Sequence, residues 1–171
     1  KGHGTNIIKI KGKKKLRGCE FSVMPDRIEA GTFALSVMGC SGSIILENVN
    51  DLICNHLKQI FKPLNVLSLN KKDNGNKLVI KKTNKSLNNV IISTKEFPGF
   101  PTDLQAQLIA SLTKSEGKSE IKENIFENRF MHVQELARMG ANIKLDKDRA
   151  IIKGVRRLNG ANVMATDLRA S

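Results

Sequence analysis

Pro25-Asp26-Arg27-Ile28-Glu29-Ala30-Gly31-Thr32 returns, loosely, as Pro101-Thr102-Asp103-Leu104-Gln105-Ala106-Gln107, and once more as Thr166-Asp167-Leu168-Arg169-Ala170-Ser171. Recurrence at a spacing of tens of residues marks one supersecondary unit used several times, so fold and sites are read unit by unit. The copying reaches beyond this motif. Glu47-Asn48-Val49 comes back as Glu123-Asn124-Ile125, and the two lie as far apart, to within a single residue, as Asp26 and Asp103. A second echo links Ile10-Lys11-Gly12, with Leu16 and Gly18 after it, to Ile152-Lys153-Gly154, with Leu158 and Gly160 after it.

Each Asp follows a short apolar run (Phe21-Ser22-Val23-Met24, Val90-Ile91-Ile92 or Val163-Met164) and precedes apolar residues at helical spacing. This predicts strand, turn and helix, with the Asp at the cap or in the first turn, where free backbone N–H groups and the macrodipole favour a carboxylate. Ile28, Phe33, Leu35 and Val37 in the first copy, and Leu104, Leu108, Ile109 and Leu112 in the second, are expected to face a core. Gly42 and Gly117 suit helix stops, and strands are expected over 43–48 and 119–124. A second, amphipathic helix follows in each copy, through Leu52, Ile53, His56, Leu57 and Ile60 or through Phe130, Val133, Leu136 and Met139. A hairpin closes the unit: Val66-Leu67-Ser68-Leu69 pairs with Leu78-Val79-Ile80 across a turn at Asp73-Asn74-Gly75, and Asn142-Ile143-Lys144-Leu145 pairs with Ala150-Ile151-Ile152.

The unit therefore reads βαβαββ, an α/β (α+β) arrangement with helices packed on a mixed sheet. Residues 1–24 are expected to be the tail of a preceding unit, 25–100 the first unit, 101–165 the second, and 166–171 the start of a truncated third. With Lys1 falling in one unit's tail and Ser171 just past another helix start, the chain reads as a fragment cut at both ends.

At 171 residues and 40% hydrophobic, the chain can bury a real core. No apolar run approaches the roughly 18 residues a membrane helix needs, and no signal peptide is visible, so a soluble cytoplasmic protein without a membrane partner is expected. Cys19, Cys40 and Cys54 are odd in number and sit in apolar surroundings, which reads as buried free thiols in a reducing compartment. Neither they nor His3, His56 and His132 have metal-ligand spacing, so no metal and no cofactor is expected; His56 reads as a partly exposed structural residue. The net charge of +13, with Lys11, Lys13, Lys14, Lys15 and Arg17 in one run, invites a nucleic-acid partner. Against it, Trp and Tyr are absent and only seven Phe remain as stacking platforms. Pairs such as Lys71-Lys72 and Lys81-Lys82 flank hairpin turns, so the charge reads as solvated loop charge with a field that draws anionic substrates.

Phe97-Pro98-Gly99-Phe100-Pro101 is stiffer than a plain strand-to-helix turn requires, and it delivers Thr102 and Asp103 to a helix start, where anions and polar ligands are often met. Asp103 by itself reads either as a cap, like Asp26 and Asp167, or as a general base if a substrate hydroxyl is held against it. The segment from Glu123 to His132 is the densest polar cluster, lying between a strand and a helix where the first unit has only Val49-Asn50-Asp51. There Arg129 could pair with a phosphate or carboxylate through two parallel hydrogen bonds, or Glu127 and Arg129 could brace the loop. Arg169 carries the same ambiguity.

Taken together, the stretch from Pro25 to Phe33, the segment from Phe100 to Gln107, the run Phe126-Glu127-Asn128-Arg129-Phe130-Met131-His132-Val133, Arg138-Met139-Gly140-Ala141, and the run from Met164 to Ser171 resemble the UDP-N-acetylglucosamine enolpyruvyl transferase family. The resemblance spans nearly the whole chain in family order. It implies two inside-out α/β barrels of three βαβαββ units each, an EPSP synthase-like fold of which this chain covers a truncated part. It also implies transfer of the enolpyruvyl group of phosphoenolpyruvate to the C3 hydroxyl of UDP-N-acetylglucosamine, the first committed step of peptidoglycan synthesis. By motif, Asp103 matches the aspartate that binds the sugar nucleotide and acts as base on the reacting hydroxyl, and Ile125 falls at an apolar contact to the sugar nucleotide. Arg129 and Arg169 match active-site arginines, Arg169 near the phosphoenolpyruvate anion, and Asp167 matches an acid close to the same cleft.

The resemblance has gaps. The family's mobile loop with its catalytic Cys or Asp and phosphate-binding Arg, its N-terminal Lys-Asn pair and a further C-terminal Arg find no counterpart here, so the loop-bearing domain is an expected partner and the fragment alone is expected to be inactive. The nearest rival is the sibling transferase acting on shikimate phosphate; a basic nucleic-acid-binding module is the rival from another class.

Overall fold

The computed structural model describes residues 1–73, 76–87 and 89–165. Helix α1 covers Arg27–Cys40, and Asp26 caps it as expected, its carboxylate accepting from the Ile28 N–H at 2.8 Å. The helix stops where Ser41 and Gly42 turn to φ 69° and 106°. Strand β1 (Ser43–Glu47) then leads into α2 (Asp51–Phe61), which is capped by the Asn50 side chain accepting from Ile53 N–H at 2.9 Å. Strands β2 (Leu67–Lys72) and β3 (Lys77–Lys82) form the predicted hairpin; Asn74 and Gly75 of its turn lie outside the described residues.

Six further elements follow. They are β4 (Ile91–Ser93), α3 (Gln105–Leu112) behind a 3-10 turn at Thr102–Leu104, β5 (Lys118–Lys122), α4 (Met131–Arg138), β6 (Asn142–Asp146) and β7 (Arg149–Lys153). In chain order they spell the predicted βαβαββ. They make one mixed sheet in the order β4-β5-β7-β6, in which β4 runs parallel to β5 and the remaining pairs are antiparallel. The first sheet, β1-β3-β2, is antiparallel throughout and repeats the last three strands of the second. Among the described residues neither sheet closes into a barrel.

The core lies where the helices meet the sheets and each other. Leu104, Leu108, Ile109 and Leu112 are all fully buried, as are Leu35, Leu57, Leu78, Ile80, Ile121 and Ile152. Burial of this kind contributes about 1.5–3 kcal/mol per large aliphatic side chain relative to leaving it in water. α1 is buried on two sides, toward its sheet and toward α3, and small residues make that possible. A β-carbon at Gly31 would lie 2.5 Å from Leu104 Cδ1, and one at Gly39 would lie 3.3 Å from Ser111 Oγ. At the same crossing Ser111 Oγ donates to the Leu35 carbonyl at 2.9 Å and Gln107 Nε2 donates to Thr32 Oγ1 at 3.0 Å.

Several expectations fail for identifiable reasons. Phe33 is 45% exposed: the two buried sides of α1 are taken by Ile28, Ala30, Gly31, Ala34, Leu35, Val37 and Met38, which leaves Phe33 on the outward side. Leu52, in the first turn of α2, is exposed too. The apolar runs at Phe21–Met24 and Val163-Met164 are not strands, because no strand edge among the described residues pairs with them, and their side chains are exposed. Of the cysteines only Cys54, on the inner face of α2, is buried; Cys19 lies in the exposed extended segment before α1 and Cys40 at the open end of that helix. No described helix is long and apolar enough to cross a membrane.

If the α1–α3 crossing depends on Gly31, Gly31→Val will force the Leu104 side chain out of its closed pocket and lower the free energy of unfolding by about 1–3 kcal/mol. Urea melting of the two proteins measures this, and an unchanged midpoint would contradict the packing described.

Candidate active site

Because β4 and β5 are parallel, their carboxyl ends point the same way and the loops that follow them lie side by side. Crevices of this kind, beyond the carboxyl ends of parallel strands, are where open α/β sheets place ligands. The ladder runs on past β4, with Thr94 N–H donating to the Lys122 carbonyl at 2.9 Å. The next residue of the β5 chain, Glu123, is 4% exposed, and the alternation that buries Ser119 and Ile121 turns its carboxylate inward as well.

That carboxylate is fully engaged. Oε1 accepts from Thr94 Oγ1 at 2.8 Å, from Ile125 N–H at 2.9 Å and from Phe126 N–H at 3.2 Å, and Oε2 accepts from Thr102 Oγ1 at 2.9 Å. Thr94, itself fully buried, accepts from Asn124 N–H at 2.8 Å, and the Asn124 amide donates to the Thr94 carbonyl at 3.1 Å. Both loops are thus sewn together beneath the surface.

Above this seam sits an ion pair. Arg129 Nη2 donates to Asp103 Oδ1 at 2.9 Å and Nη1 donates to Thr102 Oγ1 at 3.3 Å, while the Phe126 ring covers the guanidinium with 5.3 Å between Cζ and the ring centroid. The side chains of Asp103 and Arg129 are 32% and 19% exposed, so the pair is reachable from solvent. Asp103 and Arg129 are therefore neighbours, and Ile125 lies half-buried in the same loop. Asp167 and Arg169 fall outside the described residues.

Asp103 does not repeat the role of Asp26. It lies inside the 3-10 turn, where no side chain caps the helix start, and its carboxylate turns to Arg129. Sequence reasoning missed Thr94 and the buried place of Glu123, although the period-2 alternation through Ser119 and Ile121 carries the signal for an inward carboxylate.

The Phe97–Pro101 stretch is braced by α1 and α2. The His56 imidazole of α2 packs on the Phe97 ring at 5.0 Å, tilted by 43°, and the Arg27 guanidinium lies 5.7 Å from the same ring. His56 is 5% exposed, against the partial exposure expected from its helix position, because this loop folds over it. Burial pushes its pKa below the ordinary value and Arg27 adds to the effect; the Gly99 and Pro98 carbonyls pull the other way without making well-formed hydrogen bonds to either nitrogen. A groove of about 600 Å³ between α1, α3 and α4, lined mainly by apolar side chains such as Leu35, Ala110, Leu136 and Met139, adjoins the ion pair but contains neither of its members. Among the described residues no cluster of His, Cys, Asp and Glu has the makings of a metal site.

A family profile described as EPSP synthase (3-phosphoshikimate 1-carboxyvinyltransferase) matches residues 1–171. The chain belongs to the EPSP synthase family. The UDP-N-acetylglucosamine 1-carboxyvinyltransferase of Bartonella henselae is 49% identical over 172 residues, with 99% of this chain and 39% of that protein covered. The enzyme of the same name from Nitratidesulfovibrio vulgaris strain DP4 is 44% identical over 170 residues, with 99% and 40% covered. The chain thus spans about two fifths of the length of these curated relatives. Among solved structures it is similar in fold to the enolpyruvyl transferase NikO from Streptomyces tendae, with a TM-score of 0.69 at 22% identity over 86% of this chain and 35% of that one. An EPSP synthase from Acinetobacter baumannii follows with a TM-score of 0.55 at 11% identity, covering 78% of this chain and 30% of that one. The fold is therefore the EPSP synthase-like one that the resemblance implied, present here as part of its length.

His56 yields a pH prediction for this EPSP synthase-family chain. With its folded pKa below the unfolded one, neutral His56 favours the folded state; stability is complete above about 6.5, the unfolded value, and declines as pH falls below it. Thermal melts at pH 7.5 and 5.5 should show a loss that His56→Gln reduces; an identical loss in the variant would assign the effect to other groups.

Proposed function

We propose that this chain supplies one wall of the active site of a cytoplasmic enolpyruvyl transferase that takes phosphoenolpyruvate and UDP-N-acetylglucosamine. The product would be the sugar nucleotide's C3 enolpyruvyl ether, with phosphate released. The observation that carries the reading is the Asp103–Arg129 pair at the carboxyl ends of the parallel strands, within a chain close to half identical to enzymes named for this reaction.

In this reading Arg129 holds Asp103 through Oδ1, and Oδ2 is the oxygen that meets the C3 hydroxyl and takes its proton as O3 bonds to C2 of phosphoenolpyruvate and the methylene carbon takes up a proton from the opposite wall; cleavage of the C2–O bond to phosphate with loss of a methyl proton then restores the double bond. General-base assistance of this type is worth about 10²–10⁴-fold in rate. Arg129, largely buried under Phe126 but reachable from solvent, also meets anionic charge on the bound substrates, for which a planar guanidinium is well shaped. Ile125 gives the sugar nucleotide an apolar contact, and Arg169 and Asp167 complete the anion-facing side. Both the acceptor and phosphoenolpyruvate must be gripped from the opposite wall as well, by the loop-bearing domain of the same enzyme, so the 171-residue chain by itself should turn over nothing.

The test uses the protein made from the full reading frame. It should release phosphate from phosphoenolpyruvate in the presence of UDP-N-acetylglucosamine and not with shikimate 3-phosphate, and Asp103→Asn should lower kcat by about 10²-fold or more. Phosphate release with the shikimate acceptor instead, or full activity in Asp103→Asn, would overturn the assignment.

A further inference from the structure

Glu123 is the one carboxylate among the buried residues described, and nothing in the repeat requires it there. Its counterpart in the first unit, Glu47, ends β1 in the open, with 72% of its side chain exposed and paired to Lys77 at 3.3 Å. A buried carboxylate carries a desolvation penalty that hydrogen bonds to its oxygens must offset. Here four donors satisfy it: the hydroxyls of Thr94 and Thr102 and the N–H groups of Ile125 and Phe126.

A carboxylate differs from any neutral acceptor in one respect that matters at this place. It has no proton to give, so every partner must donate to it. Thr102 must then spend its single hydroxyl proton on Glu123 Oε2 and can offer only lone pairs to its other neighbour, which is Arg129 Nη1 at 3.3 Å. The polarity of the chain is thereby set from one end: Thr102 donates to Glu123, Arg129 donates to Thr102, and the other arm of the same guanidinium donates to Asp103 at 2.9 Å. Glu123 also holds the N–H of Phe126, whose ring covers the guanidinium face. Two adjacent oxygens below and a ring above leave the planar group one orientation.

We infer that Glu123 is a positioning residue which, through the Thr102 hydroxyl, aims Arg129 at Asp103. Its catalytic consequence rests on the transferase reading above, but the aiming of the guanidinium can be read without any turnover. Replacing Glu123 by Gln keeps the shape and puts an amide NH2 where Oε2 accepted, so Thr102 loses its proton acceptor. Thr102→Val removes the link from the middle, and Thr102→Ser restores it.

The experiment compares these three variants with the unaltered protein from the full reading frame. An immobilised guanidinium gives separate, slowly exchanging Nη proton signals in NMR spectra; those of Arg129, assigned by their loss in Arg129→Lys, should persist in the unaltered protein and Thr102→Ser and collapse in Glu123→Gln and Thr102→Val. In parallel kcat should fall about 10- to 100-fold in the two disrupting variants, as misplacement of a reacting group does, with KM for phosphoenolpyruvate moving less and Thr102→Ser recovering most of the rate. Should Glu123→Gln unfold, Thr102→Val and Thr102→Ser decide alone. Ordered Arg129 signals in Thr102→Val, or loss of those signals with kcat unchanged, overturns the inference. Collapse in Thr102→Val with recovery in Thr102→Ser, in a protein that turns over no substrate, upholds the aiming role and sinks only the transferase reading.

Discussion

Two loops can hold an ion pair in one place only if something fixes the distance between them, and here that constraint is the parallel pairing of β4 with β5 continued into the loops by Glu123. Strand pairing ends at Ser93 and Lys122; the Thr94 N–H and the buried carboxylate carry the register a few residues further. Loops normally move more than the elements they join. These two share hydrogen bonds centred on the buried Thr94 and Glu123, where each bond is stronger than in water and each broken partner is costly. Asp103 and Arg129 inherit that rigidity.

The α1–α3 crossing supplies the second constraint. Gly31 and Gly39 let the helices approach until Ser111 and Gln107 bond across them, and Leu104, adjacent to Asp103, fills the space above Gly31. The position of the Asp103 carboxylate is therefore tied to the packing of α1 against α3. His56 of α2 and Arg27 of α1 grip Phe97, which sets the approach to the same turn. Helices α1 and α2 thus act as the scaffold against which the loop after β4 is held.

Duplication of a folding unit makes divergence visible. Asp26 and Asp103 occupy matching places, yet one caps a helix and the other answers an arginine. Glu47 and Glu123 end matching strands, yet one is solvated and the other is the hub of a buried network. In each pair the first-unit residue keeps the role local backbone physics would assign it, and the second-unit residue has been drawn to a partner distant in sequence.

Much of this was legible beforehand, for definable reasons. Hydrophobic spacing located both helix pairs and both hairpins, and the repeated motif made the βαβαββ order readable, because periodicity and capping are local properties of a chain. The apolar runs at Phe21–Met24 and Val163-Met164 misled because a strand exists only beside a partner edge, and Phe33 misled because α1 buries two sides rather than one. Motif likeness pointed to Asp103, Ile125 and Arg129 but could not say whether Asp103 was a cap. By itself the sequence determined the unit, its order and the family; tertiary structure alone decided that Glu123 turns inward, that Thr94 and Thr102 converge on it, and that Asp103 leaves its helix for Arg129. Such choices depend on distances between residues far apart along the chain, and only the packed fold sets those distances.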